Sequence, residues 1–325
     1  MIKQDAILNI NGKHVSLRRQ SDDTFIPKNL KVLKQTVNDE YNRKLANTDG
    51  WYTLNPVSDS DTLIHKIESF CFVTTNDLKK EAAILLKSLR QFHSQPVYVI
   101  CDTESKEFLD KEEFVNVHYR LEAEPDDLDK LYTELKYKKF VTNNFHKPDC
   151  IFKKMDVMEY ALETHSNTFF LDCDIIVLDN LQENFDKHIV LSPHFYQGDD
   201  LPKGFKNGFY NAGYLFCADR GFPKFWKHIY LTKSTFYEQE CMNMIPDYYQ
   251  IQTFDPVHNI GFWRNDNEVY DKVKSFHAHL VDYPKLLEND IMKTRNIGMR
   301  SVVYKYTELH NSELYNYIVD ICSGN

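Results

Sequence analysis

Two aspartates one residue apart, Asp172 and Asp174, follow directly on the apolar run Thr168 to Leu171. A run of that kind reads as a buried strand, and in an open α/β sheet ligands bind at the carboxyl ends of strands. Two carboxylates in one partly desolvated place repel each other unless a cation joins them. A hard divalent ion with oxygen ligands is the natural partner, and it keeps positions open for phosphate oxygens. The same short string also suits a solvated turn; the strand in front of it is what favours a site.

The elements that must carry these acids are legible on either side. FCFVTT (Phe70 to Thr75) and VYVIC (Val97 to Cys101) are apolar runs of strand length, and FVNVHY (Phe114 to Tyr119) reads as a third strand. Between the first two, Leu78, Ala82, Leu85, Leu86 and Leu89 fall on one helical face, with Asn76 and Asp77 placed to cap it. Strand, helix, strand at this spacing predicts right-handed crossovers on a parallel sheet. Ile151, Met155, Met158 and Leu162 mark a further helix; IVLS (Ile189 to Ser192) and GYLFCA (Gly213 to Ala218) mark strands. Phe222, Phe225, Trp226 and Ile229 share a face of a helix opening near Pro223, and read as core. Residues 1–67 are polar and irregular apart from Ile7 to Ile10 and a charged, helix-compatible stretch around Leu30 to Leu45. They read as an N-terminal extension packing on a main domain of residues 68–325.

Composition narrows the classes. The chain has 325 residues, 42% of them apolar and 27% charged, which excludes a mostly disordered protein. A formal charge of −9 disfavours a non-specific nucleic-acid binder, which needs a net basic face. The seven cysteines (71, 101, 150, 173, 217, 241 and 322) are odd in number and form no CxxC pair. That argues against a zinc ribbon or a disulfide framework and for a reducing, cytoplasmic setting. The N-terminus lacks the apolar core of a signal peptide, and no run approaches the roughly 18 apolar residues that span a bilayer.

Several motifs in sequence order carry a specific likeness. From about Phe70 to Lys285 the chain resembles a GT-A glycosyltransferase, nearest to family eight and related nucleotide-diphospho-sugar transferases. FCFVTTND resembles the first nucleotide-binding strand, placing Thr74, Thr75 and Asn76 at the donor. IFKKMDVMEYAL resembles the helix with a basic donor contact, where Lys154 holds the usual arginine position beside Lys153. FFLDCDIIV matches the metal motif. FYNAGYLFC (Phe209 to Cys217) matches the strand whose Asn211 and Gly213 meet the donor sugar. EQECMN (Glu238 to Asn243) matches an Asp-Gln-Asp-x-x-Asn pattern, with Glu238 and Glu240 in the acidic places around Gln239. HNIGFW (His258 to Trp263) resembles a Tyr-Asn segment, and SFHAHL (Ser275 to Leu280) the terminal histidine strand.

What the likeness implies is an α/β fold with a mixed, mainly parallel sheet flanked by helices, and metal-dependent transfer of a sugar from a nucleoside diphosphate, UDP above all. The acceptor is a hydroxyl of a glycan, lipid-linked molecule or protein, and configuration is retained. Strand alternation puts Ser275, His277 and His279 on one face. One imidazole completes a sphere with Asp172 and Asp174, a donor set suited to Mn²⁺ or Mg²⁺. The His-Ala-His pattern favours His277; a family lysine six residues after the ligand would pair His279 with Lys285. Gly213 allows close approach of backbone to sugar, and Lys154 or Lys285 stabilises the leaving phosphate. Tyr196, Tyr210 and Trp263 are candidates for stacking on the acceptor. Glu238 to Glu240 equally suit the solvated first turn of a helix. Two other readings stay open: a haloacid-dehalogenase-like phosphatase with Asp172 as nucleophile, and a nucleotide-sugar-binding protein without turnover. Homo-oligomerisation is open as well.

Overall fold

The computed structural model describes residues 6–10, 13–19, 25–27, 64–121, 148–195, 208–233, 238–264, 272–281 and 290–323. The N-terminal pieces are strands, where the sequence suggested irregular chain. β1 (Ala6–Ile10), β2 (Lys13–Arg19) and β3 (Phe25–Pro27) form an antiparallel three-stranded sheet. Ile10 pairs with Lys13, and Asn11-Gly12 between them is the dipeptide that two-residue hairpins favour. The stretch around Leu30 to Leu45 lies outside the described residues.

The main body is the mixed α/β arrangement the crossover pattern predicts. Its strands are β4 (Phe70–Val73), β5 (Val97–Cys101), β6 (Val117–Leu121), β7 (Thr168–Leu171), β9 (Ile189–Pro193), β10 (Tyr210–Cys217) and β11 (Ile251–Thr253). They lie in the order β11-β9-β10-β7-β4-β5-β6. Every neighbouring pair is parallel except the two made by β10, which runs against both β7 and β9. A small second sheet joins β8 (Ile175–Val177), β12 (Ile260–Gly261) and β13 (Ser275–His277) in the order β12-β13-β8.

Alternation along the buried strands divides the core. Phe70, Phe72, Val97, Val99, Phe169 and Tyr214 face α1 (Lys79–Leu89), which packs through Ala82, Leu85, Leu86 and Leu89. Cys71, Ile100, Phe170 and Leu215 face the other way, toward α3 (Pro148–Leu162) and α4 (Phe222–Lys233). Met155, Met158, Leu162, Phe222, Phe225, Trp226 and Ile229 are all buried there, as their spacing predicted. A third cluster seats β8 and β13 against α5 (Asp290–His310) and α6 (Ser312–Ser323) through Ile176, Phe276, Val303, Leu314 and Ile318. Each fully buried side chain of this size contributes about 1.5–3 kcal/mol, and the sheet so held is the rigid base of the acidic pair.

Three local expectations shift. β4 stops at Val73, so Thr74 and Thr75 belong to the loop. Asn76–Leu78 forms a 3₁₀ turn before α1, and neither Asn76 nor Asp77 caps the helix by its side chain. Instead Asp102, at the head of α2 (Thr103–Lys111), accepts from the Asn76 N–H at 2.7 Å and the Ser105 N–H at 2.8 Å. The strand expected over Phe114 to Tyr119 starts only at Val117, because Asn116 is left-handed (φ 57°) and breaks the extended backbone.

Candidate functional site

Asp172 and Asp174 occupy the tight link between β7 and β8. The Asp172 N–H donates to the Gly213 carbonyl (2.7 Å), and the Ile175 N–H to the Asp172 carbonyl (3.1 Å). Because β8 pairs antiparallel with β13, with Ile175 opposite His277, the end of β13 and the segment after it that carries His279 are delivered beside Asp174; the strand expected over Ser275 to Leu280 stops at His277. The Ala278 N–H donates to the Asp174 carbonyl at 3.0 Å. This crossing of two sheets, at the carboxyl end of β7, is what brings residues a hundred positions apart into one site.

The two imidazoles take different places. His277 Nε2 lies 3.2 Å from Asp174 Oδ1 and 4.0 Å from Asp172 Oδ2. His279 Nδ1 lies 3.3 Å from Asp174 Oδ2 and 3.9 Å from Glu81 Oε1, so it sits behind Asp174. Ligand atoms of Asp172, Asp174 and His277 lie within 4.8 Å of one another, and this is the group among the described residues able to hold one metal ion. Two carboxylate oxygens and an imidazole nitrogen fit Mn²⁺ or Mg²⁺. Burial raises the Asp174 carboxyl, but His277 and His279 outweigh it and hold the group well below the usual carboxylate range. Burial opposes charge on His277, and Asp174 and Asp172 outweigh that, raising its pKa. Burial lowers that of His279.

Lys154 projects from α3 into the same place. Its ammonium stands 2.9 Å from Asp172 Oδ1, 3.1 Å from Oδ2 and 3.2 Å from Glu238 Oε1. Burial opposes this charge, but Asp172 and Glu238 hold it, pushing the pKa up. Glu238 is buried, and among the described residues its Oε2 has no hydrogen-bond partner. The solvated-turn reading therefore fails for Glu238. Beside it, Gln239 Oε1 accepts from Asn211 Nδ2 (3.2 Å) and the Ala212 N–H (3.3 Å), while Asn211 Oδ1 accepts from the Gly213 N–H (2.9 Å). Glu240 opens the 3₁₀ segment Glu240–Asp247. The contacts that define the cluster run through Glu238 and Gln239.

Gly213 has a use the sequence did not suggest. A Cβ on it would lie 2.1 Å from Asp172 Oδ2, so the space it leaves is filled by the carboxylate. Thr74, Thr75 and Asn76 follow the carboxyl end of β4, beside β7; Thr74 is buried and its N–H donates to the Ile100 carbonyl (3.1 Å). Asn76 is exposed, and its Oδ1 accepts from Lys79 (2.7 Å). Lys285 and Tyr196 lie outside the described residues. Tyr210, read as an acceptor platform, is instead packed in the core on the α3 side, because the first residue of β10 points there. Trp263 sets its ring edge-on to His277 (5.1 Å) and to His194 (5.2 Å).

Three further participants had no signal of their own in the sequence, and a fourth, Asn259, lies in the segment that resembled a Tyr-Asn motif without being given a role there. Glu81 on α1 is buried beside His279 and accepts from the Val281 N–H (2.9 Å). Burial pushes its carboxyl up to about 8. His194, at the end of β9, is buried near Asn211, and burial lowers it to about 3. Arg264 donates to the carbonyls of Pro256, Pro193 (3.3 Å) and His258 (2.8 Å), pinning the loop that leads into β12. Asn259 in that loop is buried and touches His277. Periodicity does not mark such residues, because they are polar groups held by tertiary contacts.

No family model matches the chain, and no curated protein matches it. Among solved structures it is similar to the galactosyltransferase LgtC in complex with donor and acceptor sugar analogs, at 15% identity over 75% of this chain and 95% of that one, with a TM-score of 0.48. It is similar also to the bifunctional glycosyltransferase WbbM in its apo form (10% identity, 83% of this chain, 53% of that chain, TM-score 0.47). A third is mouse xyloside xylosyltransferase 1, apo form (14%, 65% of this chain, 98% of that chain, TM-score 0.42). No helix among the described residues is long and apolar enough to cross a membrane.

Proposed function

We propose that this chain is a metal-dependent glycosyltransferase that moves a sugar from a nucleoside diphosphate, UDP by preference, to a hydroxyl acceptor on a glycan, lipid-linked molecule or protein. One observation carries the reading. Asp172, Asp174 and His277 converge at the carboxyl end of β7, with the Lys154 ammonium against Asp172. Bound there, Mn²⁺ or Mg²⁺ supplies positive charge to the pyrophosphate oxygens.

The chain's own residues do the rest. Lys154 donates toward the leaving phosphate, whose negative charge grows as the glycosidic bond breaks, so its help is greater in the transition state than in the ground state. Glu238 offers Oε2 to a sugar hydroxyl. Gln239, held by Asn211 and the Ala212 N–H, presents an amide beside the electron-poor anomeric carbon. The motif order resembles retaining enzymes, and retention by same-face attack is the stereochemistry we assign.

Calorimetric titration of UDP, UDP-glucose and UDP-galactose, with Mn²⁺ and then with EDTA, tests the proposal. Metal-dependent binding followed by slow sugar release from one donor supports it. Binding without turnover leaves a nucleotide-sugar-binding protein. No binding, together with phosphate release from a generic phosphomonoester and loss of that activity in Asp172→Asn, refutes it.

A further inference from the structure

His277 can ligate through Nε2 only if its other nitrogen carries the hydrogen, and one buried side chain faces that nitrogen. Asn259 Oδ1 lies 2.9 Å from His277 Nδ1. Asn259 is wholly buried and left-handed (φ 52°), a conformation that asparagine tolerates better than most residues. Its other polar groups are also engaged: the N–H donates to Ser275 Oγ (2.8 Å) and Nδ2 to Ser192 Oγ (2.9 Å). Three strands thus meet at one amide, since Ser192 lies on β9, Ser275 on β13 and Asn259 immediately before β12. Arg264 clamps the carbonyl just before it, at His258.

We infer that Asn259 is a positioning residue for the cation site, fixing His277 as the Nδ1–H tautomer with Nε2 aimed between Asp172 and Asp174. The inference rests on the proposal that these three residues hold a metal. Because Nδ2 is held by Ser192 Oγ, the Asn259 amide is turned with Oδ1 toward His277 Nδ1, and an amide oxygen can only accept there. When a cation replaces the Nε2 hydrogen, the Nδ1 hydrogen stays with Asn259. Hydrogen bonds of this kind from the non-ligating nitrogen typically govern metal affinity by 10–100-fold. His279 acts differently, since its Nδ1 faces Asp174 and Glu81 from behind and supports the carboxylate.

The test is Mn²⁺ affinity, by titration followed with electron paramagnetic resonance, in the full chain. Asn259→Gly keeps the left-handed backbone without strain and removes the acceptor; it should weaken Mn²⁺ by about 10–100-fold. Asn259→Asp restores an acceptor, with Ser192 able to donate to it, and should stay within about threefold of the parent. Unchanged affinity in Asn259→Gly overturns the inference while leaving the metal proposal intact. Absence of Mn²⁺ binding in the parent protein overturns the metal proposal itself. Should Asn259→Gly fail to fold, ¹⁵N–¹H spectra of the parent with Mg²⁺ decide: hydrogen on Nδ1 of His277 supports the inference, and hydrogen on Nε2 overturns it.

Discussion

Gly213→Ala should disable the acidic centre while leaving the protein folded. The glycine lies inside β10 without a positive φ, so its backbone accepts alanine, and the loss of unfolded-state freedom alone would stabilise by about 0.4–1 kcal/mol. The added Cβ, however, would lie 2.1 Å from Asp172 Oδ2 and 2.5 Å from its Cγ, where ordinary contact begins at 3.4 Å. The two backbones cannot separate cheaply, because the Asp172 N–H is bonded to the Gly213 carbonyl at 2.7 Å. The carboxylate must therefore shift by about 1.3 Å, out of its present distances to Lys154 and His277. A displacement near 1 Å costs on the order of 10²-fold in a site that depends on positioning. Expected results are a melting temperature within a few degrees of the parent, and about 100-fold losses in Mn²⁺ affinity and in sugar release. Parent-like Mn²⁺ affinity in a folded Gly213→Ala protein would refute the placement of Asp172.

Three further outcomes follow from the same geometry. Glu81 holds its proton up to about pH 8 in the folded state, chiefly through burial, against an ordinary value of 4.5. Its neutral form supports the fold fully below the ordinary value, and that support is lost as pH rises toward 8, at about 1.4 kcal/mol per unit. Glu81→Gln keeps an acceptor for the Val281 N–H and should flatten the decline in metal-free melting temperature between pH 5 and 8; parallel curves would contradict this. Because the acids raise the pKa of His277, cation binding competes with its proton, so Mn²⁺ affinity should rise with pH and binding should release protons. Calorimetry in buffers of different ionisation enthalpy measures their number, and a value of zero counts against His277 as a ligand. Lys154→Met removes a cation that shares Asp172, so it should tighten Mn²⁺ several-fold while weakening UDP; weakening of both would show that Lys154 mainly holds the site together.

How much of this was readable beforehand depends on the kind of contact. Continuous apolar runs such as VYVIC and the stripe of α4 announce themselves, because burial on both faces or on one helical side leaves a period in the sequence. The Asp172 and Asp174 pair was legible for the same reason: a buried strand precedes it. The end of β4 and the start of β6 were not, since they depend on a 3₁₀ turn and on one left-handed asparagine. His277 and His279 share a strand face in the sequence pattern, yet only pairing of β13 with β8 separates their roles. Tyr210 looked like a ligand platform because nothing local says which way the first residue of a strand points. Glu81 carries no local pattern at all, and the motif around Asn259 did not say what its side chain does; a buried carboxylate and a buried amide look like surface residues until their partners are known.

Anomalous diffraction at the manganese edge, from crystals grown with Mn²⁺ and UDP, addresses the central proposal most directly. One strong peak is expected within about 2.3 Å of Asp172, Asp174 and Nε2 of His277, with the diphosphate oxygens on its open side and His279 outside the sphere. A peak elsewhere, or UDP bound with no metal between it and Asp172, would contradict the proposal.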